Sequence, residues 1–238
     1  MKRKVVVFAP HPDDETLGCG GVIAKKVDEG YDVSVVFMTD GQHSLTELGI
    51  SSKITPMKMK EMRREEAIKA TEILGLYESN LLFLDFEDTT LEEKREDVQK
   101  RIIKVLKDVS PTEVIFPQER EYNIDHRLTS AIVREAIRIT KLHPIEYQYV
   151  IAWSFPFYLL LHVVGEHTLH LLTSSFLKKK LIRVDIAEFL PLKEAAIKEY
   201  KSQITVLSNE QNRPALKHSF LKRFLKNEEK FFVNTQSN

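Results

Sequence analysis

The spacing of apolar residues changes period several times along the chain. Lys4 to Ala9 (KVVVFA) is apolar and mostly β-branched, as expected of a strand buried on both faces. Similar runs at Asp32–Met38, Asn80–Asp85 and Glu113–Phe116 predict three more strands. Between them the period lengthens. Val98, Ile102 and Leu106 form one stripe within Leu91–Leu106, and Leu128, Ile132, Ala136 and Ile139 form another after Asp125. Met57–Gly75 predicts a further helix, with Gly75 as its C-cap. Strands alternating with helices imply an α/β fold: a Rossmann-like, mostly parallel sheet with helices on both faces.

The second half is less regular. Glu146–Trp153 and Lys180–Ile186 read as strands, Ser154–Leu172 as a short helix and hairpin, and Ala187–Leu207 as a helix. The stretch Lys217–Asn238 reads as a charged tail whose Phe220, Phe224, Phe231 and Phe232 serve packing or a contact between copies. The expectation is a single domain over 1–238, with a core to about residue 150 and a C-terminal α/β cap beyond it.

Charge and cysteine usage narrow the function classes. Lys and Arg together number 35, as do Asp and Glu, which gives no global attraction to nucleic acid or to a membrane surface. The most apolar window, Tyr147–Phe176, is interrupted by His162, Glu166, His167 and His170, so no integral membrane segment is expected. The N-terminal apolar run is too short for a signal peptide. A single cysteine, Cys19, excludes an internal disulfide and reads as a small buried filler. Together these features predict a soluble cytoplasmic protein.

The chemistry concentrates after the first strand, in Ala9-Pro10-His11-Pro12-Asp13-Asp14-Glu15. Ligands of open parallel sheets sit at the carboxyl ends of strands. Packing this much charge there is costly without a cation. His11 and Asp14, three apart in a turn, suit one metal ion, and Asp13 between them suits its open side. Catalytic zinc usually takes three protein ligands and leaves one position for water. His126 in Asn123-Ile124-Asp125-His126, after the fourth strand, is the third ligand, and Asp125 orients a ligand imidazole. One zinc ion held by His11, Asp14 and His126, with Asp13 as general base, suits amide hydrolysis.

These residues carry a resemblance. The first motif is similar to the signature of the zinc-dependent N-acetylglucosaminyl deacetylases, the LmbE-like or PIG-L-like superfamily. Thr39-Asp40-Gly41, Arg63-Arg64-Glu65-Glu66-Ala67, Asp125-His126-Arg127, Tyr147-Gln148-Tyr149, Asp185-Ile186 and Lys201-Ser202-Gln203 resemble its later markers, in its order. The resemblance implies zinc on His11, Asp14 and His126, Asp13 as base, and Arg63 as a substrate-binding residue. It also implies an acetylated amino-sugar substrate and self-association. Many members carry a histidine where this chain has Asn123. An amide donates a hydrogen bond but relays no proton, so either Asn123 is a partial catalytic substitute or a later histidine serves, with His162, His167 and His170 as candidates. Two rival readings remain: a metal-binding member with weakened catalysis that binds a sugar or partner, and an amidase acting on another N-acyl compound. Gly18, Gly20 and Gly21 match no phosphate loop and read as close helix–strand packing.

Overall fold

The computed structural model describes residues 3–50, 52–152 and 179–234. Within them the chain forms one seven-stranded sheet in the order β3-β2-β1-β4-β5-β7-β6. Strands β1 (Lys4–Ala9), β2 (Asp32–Thr39), β3 (Leu81–Phe86), β4 (Glu113–Pro117) and β5 (Ile145–Tyr149) run parallel. Strand β7 (Glu228–Asn234) is antiparallel to both β5 and β6 (Lys179–Asp185).

Strand β1 shows why the sheet is covered on both sides. Val5, Val7 and Ala9 point into one core, Val6 and Phe8 into the other. The first core takes Val22 and Ile23 of α1 (Asp14–Asp28), Ala67 and Ala70 of α3 (Pro56–Ile73), and Ala196 and Ile197 of α6 (Leu190–Glu199). The second takes Val98, Ile102 and Leu106 of α4 (Arg95–Val109) and Ile132, Val133 and Ala136 of α5 (Ile124–Thr140). A short helix, α2 (Ser44–Glu47), follows β2; α7 (Lys201–Ile204) and α8 (His218–Leu221) follow α6.

The α/β reading of the sequence holds, and the first four strands fall within a residue or two of their predicted bounds. Five details differ. The helix expected at Leu91–Leu106 starts at Arg95, after turns. The stripe of α5 turns its apolar face through Val133, leaving Ile139 45% exposed. The helix expected over Ala187–Leu207 starts at Leu190, where Pro191 suits a first turn, and breaks at Tyr200, whose ψ is 55°. The charged tail contains a strand: β7 inserts between β5 and β6, with Phe231 and Phe232 buried in the sheet. Strand β5 ends at Tyr149, short of the predicted Trp153. Ser154–Leu172 lies outside the described residues, as do His162, His167 and His170.

Strand order reverses between β1 and β4: from β1 the chain builds outward through β2 and β3, then returns to place β4 on the other side. The crevice above that reversal is where doubly wound sheets bind ligands. The motif after β1 and the loop after β4 both open into it.

Candidate metal centre

The local structure of both loops converges on one point. After β1 the chain turns so that the His11 N–H donates to Asp14 Oδ2 at 2.9 Å, and Asp14 opens α1. After β4, Asn123 caps α5: its Oδ1 accepts the Asp125 N–H at 2.7 Å, which sets His126 in the first turn. His11, Asp14 and His126 are all buried.

Three ligand atoms form a nearly equilateral triangle. His11 Nδ1 lies 3.2 Å from Asp14 Oδ2, His126 Nε2 lies 3.1 Å from the same oxygen, and the two ring nitrogens are 3.3 Å apart. Metal–ligand bonds of about 2.0–2.1 Å give a tetrahedral site edges of about 3.3 Å. The protons fit as well. His11 Nε2 faces Asp125 Oδ2 at 3.2 Å, so its ring proton belongs there and the Nδ1 lone pair points inward. Asp125 Oδ2 is itself fixed by the Thr89 N–H at 2.9 Å. His126 Nδ1 is buried with no hydrogen-bond partner among the described residues, 3.8 Å from Glu121 Oε2. Two imidazole lone pairs and a carboxylate oxygen meeting in a buried triangle suit a divalent cation.

The electrostatics agree. Burial works to lower the His11 pKa, yet hydrogen bonds to Asp125 and Asp14 hold it well above the usual imidazole range. His126 is likewise raised: the Asp14 charge outweighs burial. Burial pushes the Asp14 carboxyl up, but His126 and His11 bring it far below the usual range. Without a metal, protons on the imidazoles supply the positive charge that a dication brings. A second buried set, His11, Asp88 and Asp125, also clusters. Both Asp88 oxygens are engaged, by the Gly41 and His43 N–H groups at 2.8 Å each, so Asp88 fixes the loop after β2.

Asp13 sits beside the triangle under two restraints. Its backbone has φ 134°, ψ −25°, a region costly for a residue with a side chain. The Glu15 carboxylate holds that conformation by accepting the Asp13 N–H at 3.0 Å, and it also accepts from the Thr16 and Tyr200 hydroxyls. On the other side, Arg63 Nη2 pairs with Asp13 Oδ1 at 3.0 Å and also reaches the Pro12 carbonyl. Arg63 crosses above Gly41, whose φ is +69° and whose Cβ, if present, would strike the guanidinium. Arg63 Nη1 and Nη2 are thus engaged by Asp13 and backbone carbonyls, while its Nε has no hydrogen-bond partner among the described residues and the side chain lines the cavity. Burial pushes the Asp13 pKa up to about 7, against the pull of Arg63.

The sequence reading missed three supporting residues. Glu121, buried in the loop after β4, accepts the Ile151 and Ala152 N–H groups beside His126. Burial raises its pKa to about 7, against the pull of His126. In sequence it looks like one more surface charge in Glu119-Arg120-Glu121. Asp88 and Tyr200 leave no local signal at all. The centre opens into a cavity of 210 Å³, reached by Asn123 and Tyr122 on one side and by Ser44, Leu48, Gln203 and Phe220 on the others. Cys19 is buried at a kink in α1. A Cβ on Gly18 would meet the Tyr149 ring and one on Gly21 would meet Ile186, the close packing expected of these glycines.

Fold and centre together define a doubly wound α/β protein with a His/Asp/His metal-type site at its switch point. The chain belongs to the PIG-L family, described as GlcNAc-PI de-N-acetylase, whose model matches residues 6–137. A diacetylchitobiose deacetylase of Thermococcus kodakarensis is 30% identical over 204 residues, covering 84% of this chain and 70% of that protein. A 4-oxalmesaconate hydratase of Pseudomonas putida is 31% identical over 137 residues, covering 57% of this chain and 52% of that protein. The structure of N,N'-diacetylchitobiose deacetylase from Pyrococcus horikoshii superposes with a TM-score of 0.70 at 24% identity, covering 97% of this chain and 83% of that one. Among the described residues, no helix is long and apolar enough to cross a membrane.

Proposed function

We propose that the chain is a zinc-dependent N-deacetylase of N-acetylated amino sugars, with His11, Asp14 and His126 as metal ligands and Asp13 as general base. The triangle of ligand atoms with 3.1–3.3 Å edges carries this reading. Family membership and the similarity to a protein named as a diacetylchitobiose deacetylase support the substrate class. A bound zinc supplies Lewis acidity, which makes water acidic and polarises an amide carbonyl.

The chain's own residues do the rest. Arg63 occupies Asp13 Oδ1, so Oδ2 is the atom left to take a proton and return it to the departing amine. Asn123 spends its Oδ1 on the α5 cap, so its NH₂ is the group left to donate to a carbonyl oxygen in the cavity. Gln203 and Ser44, bonded to each other at 3.3 Å, present polar atoms to sugar hydroxyls.

The test is hydrolysis of diacetylchitobiose and N-acetylglucosamine by metal-loaded protein, with elemental analysis in parallel. Activity abolished by chelator and restored by zinc is expected. His126→Ala should lose the metal. Asp13→Asn should keep it and lose turnover by two orders of magnitude or more, about what a positioned base contributes. Near-normal turnover in Asp13→Asn removes the base assignment. The hydratase relative motivates a second reading, water addition. Activity on 4-oxalmesaconate without deacetylation would favour it.

A further inference from the structure

A second groove adjoins the cavity at the metal centre. The two share Leu48, Leu216 and Phe220 as walls, and the groove, of 590 Å³, is lined beyond them by Arg213, Lys217 and Arg223. We propose that this groove is a subsite for an anionic group, carboxylate or phosphate, on the aglycone of the acetylated amino sugar; the proposal rests on the deacetylase reading above.

Three observations carry it. First, charge is segregated. The floor of the centre gathers the carboxylates of Asp13, Asp14, Asp88, Asp125 and Glu121, all buried, and its cationic side chains Arg63, His11 and His126 are engaged by them. The segment 211–227 holds five Lys and Arg and no Asp or Glu, in a chain of zero formal net charge. Second, the three groove cations pair with no carboxylate among the described residues. Arg213 is steered instead by neutral carbonyls: Nη2 donates to Leu48 O at 3.0 Å and Nη1 to Pro214 O at 3.4 Å, which orients the guanidinium with no carboxylate partner among the described residues. Arg223 lies 5.4 Å from the Phe220 ring centroid. Third, the apolar side of this segment is already used. Phe220, Leu221, Phe224 and Leu225 pack against the first core, so no apolar face remains to enter a lipid surface. The basic side faces the groove that adjoins the metal-centre cavity, which suits a charged extension of a soluble substrate.

The experiment compares size-matched N-acetylglucosaminides: carboxymethyl, phosphoryl and neutral hydroxyethyl. The readout is the ratio of kcat/KM for each anionic compound to that for the neutral one. A ratio of about ten is expected, since three exposed charge contacts at a few tenths of a kcal/mol each sum to roughly that. It should fall towards one in Lys217→Gln/Arg223→Gln and at high salt, through KM and not kcat. Adding Arg213→Gln should complete the loss. The carboxymethyl and phosphoryl arms decide which anion the groove prefers. A ratio near one in the unaltered protein overturns the proposal, as does a variant that depresses all three substrates equally. Calorimetric binding of the free-amine forms of the same glycosides separates this proposal from the deacetylase reading. Preference for the anionic form, lost in the variant, supports the subsite even where no compound is hydrolysed; equal binding overturns it.

Discussion

Helix α1 is served by two buried carboxylates from opposite ends of the chain, and they do different work. Glu15 belongs to the helix itself. It accepts the Asp13 N–H and two hydroxyls, and so fixes the backbone of the residue next to the metal ligand. Glu229 comes from β7. The kink at Cys19 breaks α1, and the Glu229 carboxylate accepts the N–H groups of Gly21 and Val22 at 2.9 Å each, at the start of its second half. Lys193 of α6 neutralises it at 2.6 Å and ties back to Leu17 O at 2.8 Å. One carboxylate shapes the reacting end of the helix, and the other fastens the helix to the C-terminal flank of the sheet. Chemistry and scaffold are thus separable along a single helix.

The comparison breaks most visibly at Glu229. Glu229→Ala leaves the Lys193 ammonium buried without a counter-charge and two N–H groups without their acceptor, a loss of about 3–5 kcal/mol for a broken buried pair. Urea unfolding should show it as a lower midpoint at unchanged slope. The double variant Glu229→Gln/Lys193→Met should cost less than the two single changes summed, since no unpaired charge is left. Near-native stability in Glu229→Ala would make the cap incidental.

At Glu15 the effect should appear in catalysis instead. Tyr200→Phe removes a hydroxyl donor to the buried Glu15 carboxylate, which weakens its hold on Asp13. A hydrogen bond to a charged group is worth about 1.5–3 kcal/mol, so a kcat loss of about tenfold is expected, with KM and metal content preserved. If Tyr200→Phe lowers stability and leaves kcat alone, Glu15 is scaffold of the same kind as Glu229.

The same contrast explains which parts of the molecule were legible in the sequence. His11, Asp13 and Asp14 lie within four residues, and His126 follows a cap and a strand end, so local rules place them. Strands β1, β2 and β4 announce themselves because most of their positions are apolar and buried, and β3 because its run is apolar to Leu84. Strand β7 has no such signature. Its sequence EEKFFVN puts a buried Glu229 where an apolar residue would mark the pattern, and that glutamate is stable only because Lys193 and α1 meet it. Tyr200 breaks a helix that its own segment favours while its hydroxyl reaches Glu15, 185 positions away. Propensity yields there to a tertiary bond. Asp125 was legible as a second acceptor, but its partner is His11, a pairing across the sheet that spacing does not reveal.

The glycines of α1 sharpen the comparison at its finest scale, since they lie between the two carboxylates. Gly18 faces β5: an added methyl would overlap the Tyr149 ring, which is itself anchored by its hydroxyl donating to Phe8 O at 3.1 Å. Gly18→Ala should therefore cost about 1–3 kcal/mol, the range for overpacking a core. Gly20 faces α6: there the nearest atom to an added Cβ is Lys193 Cγ at 3.4 Å, an ordinary van der Waals contact. Gly20→Ala should be neutral or should stabilise by about 0.4–1 kcal/mol, because alanine narrows the unfolded ensemble and favours the helix. Equal losses from both changes, measured by thermal unfolding, would mean that the path of α1 past Cys19 is set by its short residues as a group rather than by the Tyr149 contact on one side and the Glu229 cap on the other.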